Sequence, residues 1–179
     1  MKKLLVASFL LVSPAAFAGG PSNAVGVGIE AQINGTGGLS ASYAMDKFHF
    51  GGFIGINDPA GADNTTYEIG GRFFYHVHST AQADFGLGGS IGLAAVPFVD
   101  AMGNHKHHDD IYLEPGFQIR VFLSANVALS FSGGIVIGVA DTDGVSLSGQ
   151  TTGGAAGPFD VMGNALSVNG GAGVHYYFN

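Results

Sequence analysis

Apolar and polar residues alternate position by position along eight stretches of the chain. In the first of them every second residue is apolar: Val25, Val27, Ile29, Ala31 and Ile33. A period of two is typical of a β-strand whose two faces meet different surroundings. The pattern therefore predicts eight strands, at residues 24–34, 37–45, 48–57, 66–77, 81–96, 111–123, 127–140 and 165–178.

The connections between these strands alternate in length. Tight turns occupy residues 46–47, 78–80 and 124–126, and the other connections are mostly longer: 34–36, 58–65, 97–110 and 141–164. The apolar residues that flank a tight turn, such as Met45 and Phe48, fall on the same face, as partners in an antiparallel hairpin must. Short turns on one side and long loops on the other predict an all-β fold, an eight-stranded antiparallel up-and-down transmembrane β-barrel.

The two faces of the predicted strands differ in bulk. One carries Val, Ile, Leu, Phe and Tyr, and the other carries most of the strand glycines. Because the interior of an eight-stranded barrel is just filled by side chains, roughly 35 bulky apolar residues would not fit inside it. We therefore expect the bulky face to point outward, toward lipid. A soluble barrel of lipocalin type would need the reverse arrangement.

The inward face also carries nearly all the strand charges, and these form the candidate lumen network: Glu30, Glu68, Arg72, Asp84, Glu114 and Arg120. Charges in a narrow barrel are costly to desolvate, so each arginine should compensate at least one carboxylate. Two interpretations stay open. The charges form an ion-pair plug across the lumen, or they line a gated polar conduit, with the inward glycines leaving space for water.

The N-terminus predicts export. Lys2 and Lys3 precede an apolar run, residues 4–12, and Ala16-Phe17-Ala18 forms a cleavage motif of the small-x-small type. This order is typical of a secretory signal peptide. The sequence thus divides into a signal peptide at residues 1–18 and one outer-membrane β-barrel domain at residues 19–179.

Composition excludes several classes. Glycine accounts for 31 of 179 residues, the mean hydropathy is +0.32, and no segment after residue 18 offers 18 consecutive apolar residues, so a helical membrane protein does not fit. The domain has four basic and 13 acidic residues, a formal charge of −9. The absence of a basic patch argues against a nucleic-acid partner. Without cysteine, the exported domain must fold without disulfides.

Aromatic residues of the outward face concentrate near the short-turn end, which predicts an interfacial girdle: Tyr43, Phe48, Phe50, Phe73, Tyr75, Phe85, Tyr176 and Phe178. The last seven residues, 173–179, resemble the assembly signal of outer-membrane barrels, with Val174, Tyr176 and Phe178 alternating outward. Such signals usually end on the aromatic residue, whereas Asn179 follows it here.

Over the domain, the pattern resembles the OmpA/OmpX/opacity group of small eight-stranded outer-membrane barrels. The resemblance covers architecture and the last strand, and it carries no catalytic motif. It implies a Gram-negative outer-membrane location, a monomer, and outer-membrane lipid, lipopolysaccharide and the barrel assembly machinery as partners. No cofactor is expected, and no enzyme, because the outward face has no Ser, His or acid in its central band.

A histidine-rich segment in the predicted loop 97–110 is a candidate metal site, formed by His105, His107, His108, Asp109 and Asp110. Imidazole and carboxylate groups suit transition metals. A free loop, however, would not fix their geometry, so a solvated loop is the competing interpretation.

Taken together, these patterns predict a structural, surface-exposed barrel whose long acidic loops contact surface lipid or partners. The alternative is a narrow pore for water or small solutes through the polar, glycine-rich lumen. A continuous polar path past Arg72 and Arg120 would favour the pore.

Overall fold

Eight antiparallel strands form a closed barrel in a computed structural model that describes residues 22–58, 65–140 and 166–178. The strands are β1 (Ala24–Gln32), β2 (Gly37–Ala44), β3 (Phe48–Asn57), β4 (Thr66–Ser79), β5 (Ala83–Val99), β6 (His105–Phe122), β7 (Val127–Ala140) and β8 (Leu166–Phe178). Each strand pairs with its neighbours in sequence, and β8 pairs with β1 to close the sheet. Within the described residues, no helix is long and apolar enough to cross a bilayer.

The predicted fold class and the number of strands are confirmed. All strand bounds agree within three residues except the start of β6, which lies six residues earlier than predicted. The predicted long loop 97–110 is therefore wrong. β5 runs on to Val99, β6 begins at His105, and a tight turn joins them.

Local hydrogen bonding explains this turn. The Asp100 side chain accepts hydrogen bonds from the backbone amides of Met102 and Asn104, both at 2.9 Å. Gly103 adopts a φ of +82°, a conformation that glycine takes without a Cβ penalty, and its amide donates to the Asp100 carbonyl at 2.9 Å. The turn thus satisfies its own polar groups and lets both strands continue beyond the barrel.

The inside and outside of the barrel are divided as the alternation predicts. Ile54 is 53% exposed on the outer surface, whereas its neighbour Phe53 is 4% exposed inside. The outward aromatic residues gather at the short-turn end, where Phe73 lies 5.0 Å from Phe50 and 5.8 Å from Phe48 between ring centroids. Bulky apolar side chains therefore cover the outer wall of the described barrel.

Inward glycines make room for rings that the sequence analysis did not place in the lumen. A Cβ added at Gly92 would lie 2.5 Å from Cζ of Tyr112, and one added at Gly70 would lie 2.5 Å from Cζ of Phe53. The expectation that these glycines leave space for water is wrong here, because aromatic rings occupy that space. Glycine and ring together fill the narrow interior.

We expect Gly92→Ala to destabilise the barrel by about 1–3 kcal/mol, because overpacking forces neighbours to move. Tyr112 cannot shift freely, since its hydroxyl donates a hydrogen bond to Glu68. Circular dichroism during urea unfolding of the barrel refolded in lipid vesicles would measure the change, as the chain has no tryptophan.

The matched control is Gly52→Ala, whose added Cβ would be 3.6 Å from the nearest non-adjacent atom. We expect a change within about 0.5 kcal/mol for this variant. Equal losses in the two variants would contradict the tight packing of Gly92 against Tyr112.

Candidate functional site: the charged lumen

The lower part of the lumen, near the short turns, is organised around Arg120. Its Nη2 donates to Asp84 Oδ2 at 2.7 Å and to His76 Nε2 at 3.2 Å, and its Nη1 donates to the Tyr177 hydroxyl at 3.0 Å. The Arg120 and Asp84 side chains are 2% and 7% exposed. A buried arginine thus has a carboxylate partner and two neutral ones, which offsets the cost of removing its charge from water.

Below this network, five buried residues close the short-turn end of the barrel: Ala24, Ala44, Phe122, Ala128 and Tyr177. Four of them are completely inaccessible to water and Phe122 is 6% exposed. The Arg120 guanidinium lies 5.4 Å from the centre of the Phe122 ring. This apolar layer, which we call the lower seal, lies between the charged lumen and the short-turn end of the barrel.

The upper part of the lumen contains a second ion pair. Arg72 donates from Nη1 and Nη2 to the two carboxylate oxygens of Glu30, at 3.0 and 2.6 Å. Its guanidinium also lies 4.5 Å from the centre of the Phe53 ring. The bidentate geometry fixes Arg72 across the lumen between β4 and β1.

The other two lumen carboxylates rely on neutral donors. Glu68 accepts hydrogen bonds from the Tyr112 hydroxyl and, at 3.2 Å, from the Gln32 amide, while Glu114 accepts one from Ser90 at 3.1 Å. The four predicted carboxylates therefore fall into two groups. Glu30 and Asp84 form ion pairs with the two arginines, and Glu68 and Glu114 are held mainly by uncharged side chains.

Histidine side chains fill the lumen between the two ion pairs. His49 Nδ1 lies 2.7 Å from the Gln118 carbonyl oxygen, and its ring stacks 6.3 Å from that of His76. His175 Nε2 lies 2.7 Å from Ser40 Oγ, and its Nδ1 lies 3.3 Å from Ser130 Oγ. The period of two along the strands places the three histidines and Gln118 inside the barrel, where they are buried.

The Ser40–His175 contact resembles part of a hydrolytic dyad, but its surroundings do not suit catalysis. A nucleophilic serine needs a base that is oriented by a third group and a surface that substrate can reach. His175 is 3% exposed, and its second ring nitrogen meets Ser130 rather than a carboxylate. We assign this contact to lumen packing.

A small cavity of about 20 Å³ adjoins the upper ion pair, and its lining includes Glu30, Arg72, Ser90, Glu114 and Asn169. That volume holds about one water molecule. Asn169 donates to Gln32 at 2.8 Å, whereas its side-chain oxygen has no partner among the described protein atoms. One ordered water would satisfy this oxygen without opening a path through the barrel.

The predicted assembly signal lies on β8 as expected from alternation. Val174, Tyr176 and Phe178 point outward, with Tyr176 and Phe178 in edge contact at 4.9 Å between ring centroids. The intervening Tyr177 points inward into the lower seal. A role in assembly stays a prediction, because a folded barrel does not report how it was inserted.

The histidine-rich segment lies on a β-strand instead of a loop. Strand geometry distributes its residues over two faces, and among the described residues no group of three His, Asp or Glu side chains could hold a metal ion. Near the turn that begins β6, Lys106 lies 2.8 Å from Asp100. This hydrogen bond holds the pKa of the Asp100 carboxyl well below its usual range and raises the pKa of Lys106.

Three predicted segments lie wholly or mostly outside the described residues, namely the signal peptide at residues 1–18 and the connections 58–65 and 141–164. They therefore remain predictions from sequence.

Comparison with known proteins agrees on the fold. No protein-family model matches the chain, and no curated protein matches its sequence. Among solved structures, the N-terminal β-barrel domain of Pseudomonas aeruginosa OprF aligns with a TM-score of 0.63 at 11% identity, covering 89% of this chain and 99% of that one. The chain has the fold of the small eight-stranded outer-membrane barrels.

Two further structures align less closely. Neisserial surface protein A gives a TM-score of 0.49 at 16% identity over 87% of this chain and 95% of that one. The Yersinia pestis attachment invasion locus protein Ail gives 0.43 at 11% identity over 87% and 97%.

We expect Arg120→Ala to lower the free energy of unfolding by about 3–5 kcal/mol, because it leaves Asp84 buried without its cation. Adding Asp84→Asn to that variant should restore part of the loss. Urea unfolding in lipid vesicles would measure both changes.

Lys106→Ala is the matched control, since it removes a cation from an exposed pair and should lower the free energy of unfolding far less than Arg120→Ala does. A loss for Arg120→Ala no larger than for this control would show that Arg120 is solvated.

Proposed function

We propose that this chain is a structural, surface-exposed barrel of the Gram-negative outer membrane, whose loops on the outer side contact surface lipid or partners. The observation that carries the proposal is the outer wall of the barrel. Bulky apolar side chains there, such as Ile29 at 63% exposed, cover the described strands all round. A soluble protein rarely exposes an apolar surface of this extent, whereas a membrane barrel needs one.

Closure of the sheet supports a membrane location independently. Lipid offers no hydrogen-bond partner to an unpaired strand edge, so a spanning sheet must be closed. Here β1 pairs with β8 through eight residue pairs, from Val25 with Phe178 to Gln32 with Gly171. An exported chain with this architecture fits the outer membrane, and the predicted signal peptide provides the export step.

The topology supports an orientation. Both Ala24 and Phe178 lie at the short-turn end, which in such barrels faces the periplasm. The connections at the opposite end, including the β5–β6 extension, would then face outward. Lipopolysaccharide and protein partners of the cell surface would meet the barrel there, while the assembly machinery would meet it during insertion.

The described lumen supports a structural role over a pore. A pore needs a continuous path of water through the lumen. Arg72 borders the small cavity and could line such a path. Arg120 and the lower seal beneath it are nearly or completely inaccessible to water. Among the described residues, this region therefore leaves little accessible space for water, which supports a structural role over a pore.

The location can be tested directly. The mature protein should fractionate with outer membranes, and in detergent gels it should migrate differently before and after heating, as folded barrels do. Recovery as a soluble periplasmic protein would overturn the proposal, because the exposed apolar wall would then have no lipid to face.

A conductance measurement distinguishes the structural role from the pore function. We expect the refolded barrel to show no steady conductance in a planar bilayer, and Tyr177→Ala to introduce one by opening the lower seal. The control Tyr75→Ala removes an outward ring at the same end and should stay silent. Steady conductance of the unmodified barrel would favour the pore.

A further inference from the structure

Beyond the proposed function, the β5–β6 hairpin fixes the geometry of a segment whose sequence is rich in metal ligands. Pairing with β4 reaches Ala95 on β5, and pairing with β7 reaches Ile111 on β6. Residues 96–108 thus pair only with each other, from Val96 with His108 to Val99 with His105. We call this two-stranded extension the ribbon.

Strand geometry places two of the histidines side by side. His105 and His107 are two positions apart on β6, so they share one face of the ribbon, and both are exposed. Such neighbours are separated by roughly 6.5–7 Å along the strand. Two imidazoles at this separation can converge on one ion, since metal–nitrogen bonds are about 2.0–2.1 Å long.

The hydrogen bond made by His107 prepares its other ring nitrogen for a metal. Nε2 lies 3.0 Å from the backbone carbonyl oxygen of Thr65, which can only accept, so Nε2 carries the proton. The unprotonated Nδ1 is then free to ligate. Metal-bound histidines in proteins commonly donate their second nitrogen to a carbonyl in this way, which fixes the tautomer and the ring. The Tyr67 ring, 6.3 Å away, restrains the imidazole further.

Charge on the ribbon is arranged so that it does not oppose a cation at this face. Lys106 lies between the two histidines in sequence, but it is bonded to Asp100 at 2.8 Å and occupies a position of the opposite face. Its charge is thus compensated locally. Asp109 follows on the same face as His107 and is exposed, which adds a negative charge nearby.

We propose that His105 and His107 form a two-imidazole site for one divalent transition-metal ion at the outer end of the barrel. Water completes the coordination, which agrees with the finding that no group of three His, Asp or Glu side chains among the described residues could hold a metal ion. The five-residue site suggested by the sequence is thereby reduced to one pair. Positions 108 and 110 belong to the opposite face, and Asp110 is buried.

The test is titration of the refolded, untagged mature barrel with Zn²⁺ by isothermal calorimetry, in a buffer and detergent without chelators. We expect one saturable site per barrel, with affinity reduced about tenfold or more by either His105→Ala or His107→Ala. His108→Ala is the matched control and should change affinity less than about twofold, because the period of two puts position 108 on the other face. The heat-dependent gel shift would verify folding of every variant.

Two further measurements test whether the two histidines bind the ion. With Cu²⁺ as the probe, electron paramagnetic resonance should show two coordinating nitrogens in the unmodified barrel and fewer in each single variant of the pair. Zn²⁺ should be released on acidification, since a ligating imidazole must be neutral. Absence of saturable Zn²⁺ binding by the folded barrel would overturn the proposal, and so would an equal loss of affinity in His108→Ala. Neither result would affect the outer-membrane proposal.

Discussion

The small interior of an eight-stranded barrel is the constraint on which the rest of this structure depends. Closing eight strands leaves a lumen that side chains just fill, so every inward position competes for volume. The bulky side chains accordingly lie on the outer wall, and glycine stands beside several inward rings, as Gly92 does opposite Tyr112. The high glycine content and the positive hydropathy of the chain, an unusual pair in one sequence, thus have one geometric cause.

The same confinement governs the charges. Water that could solvate Arg120 is excluded by the lower seal, so the protein must supply a carboxylate and hydrogen-bond acceptors from other strands. Arg72 is less enclosed, and its bidentate bond to Glu30 joins β4 to β1 across the barrel. Arg120 and Asp84, by contrast, are cross-strand neighbours on β6 and β5. The lumen therefore acts as a core in which polar groups pack together with inward rings and small apolar residues.

Alternation was sufficient to predict the strands and their faces because a membrane barrel keeps a different environment on each side of its wall. Alternation failed to predict strands beyond the end of the barrel, where the wall no longer separates two environments. Residues 105–110 lie at or beyond the end of the barrel and carry no apolar period. They were therefore predicted as loop, although the turn at Asp100 and Gly103 holds them in strands. The sequence predicts which charged residues face inward, but not which of them form pairs. The period of two places Arg72, Glu30 and Glu68 inside. Barrel closure and strand register then decide that Arg72 bonds to Glu30 and that Glu68 bonds to Tyr112.

A barrel with a closed lower end and a packed lumen has two surfaces that can interact with other molecules, namely the outer wall and the loop end. The wall consists mainly of bulky apolar side chains, and at 11% identity the likeness to the OprF barrel extends to the fold alone. Under the proposed function, recognition takes place at the loop end. There the ribbon is the part of the described chain that projects beyond the sheet on a strand framework. Its outward face exposes His105 and His107, with Asp109 next to them at its start. The alternation that gives the wall its apolar face thus also places these polar side chains on one face of the ribbon.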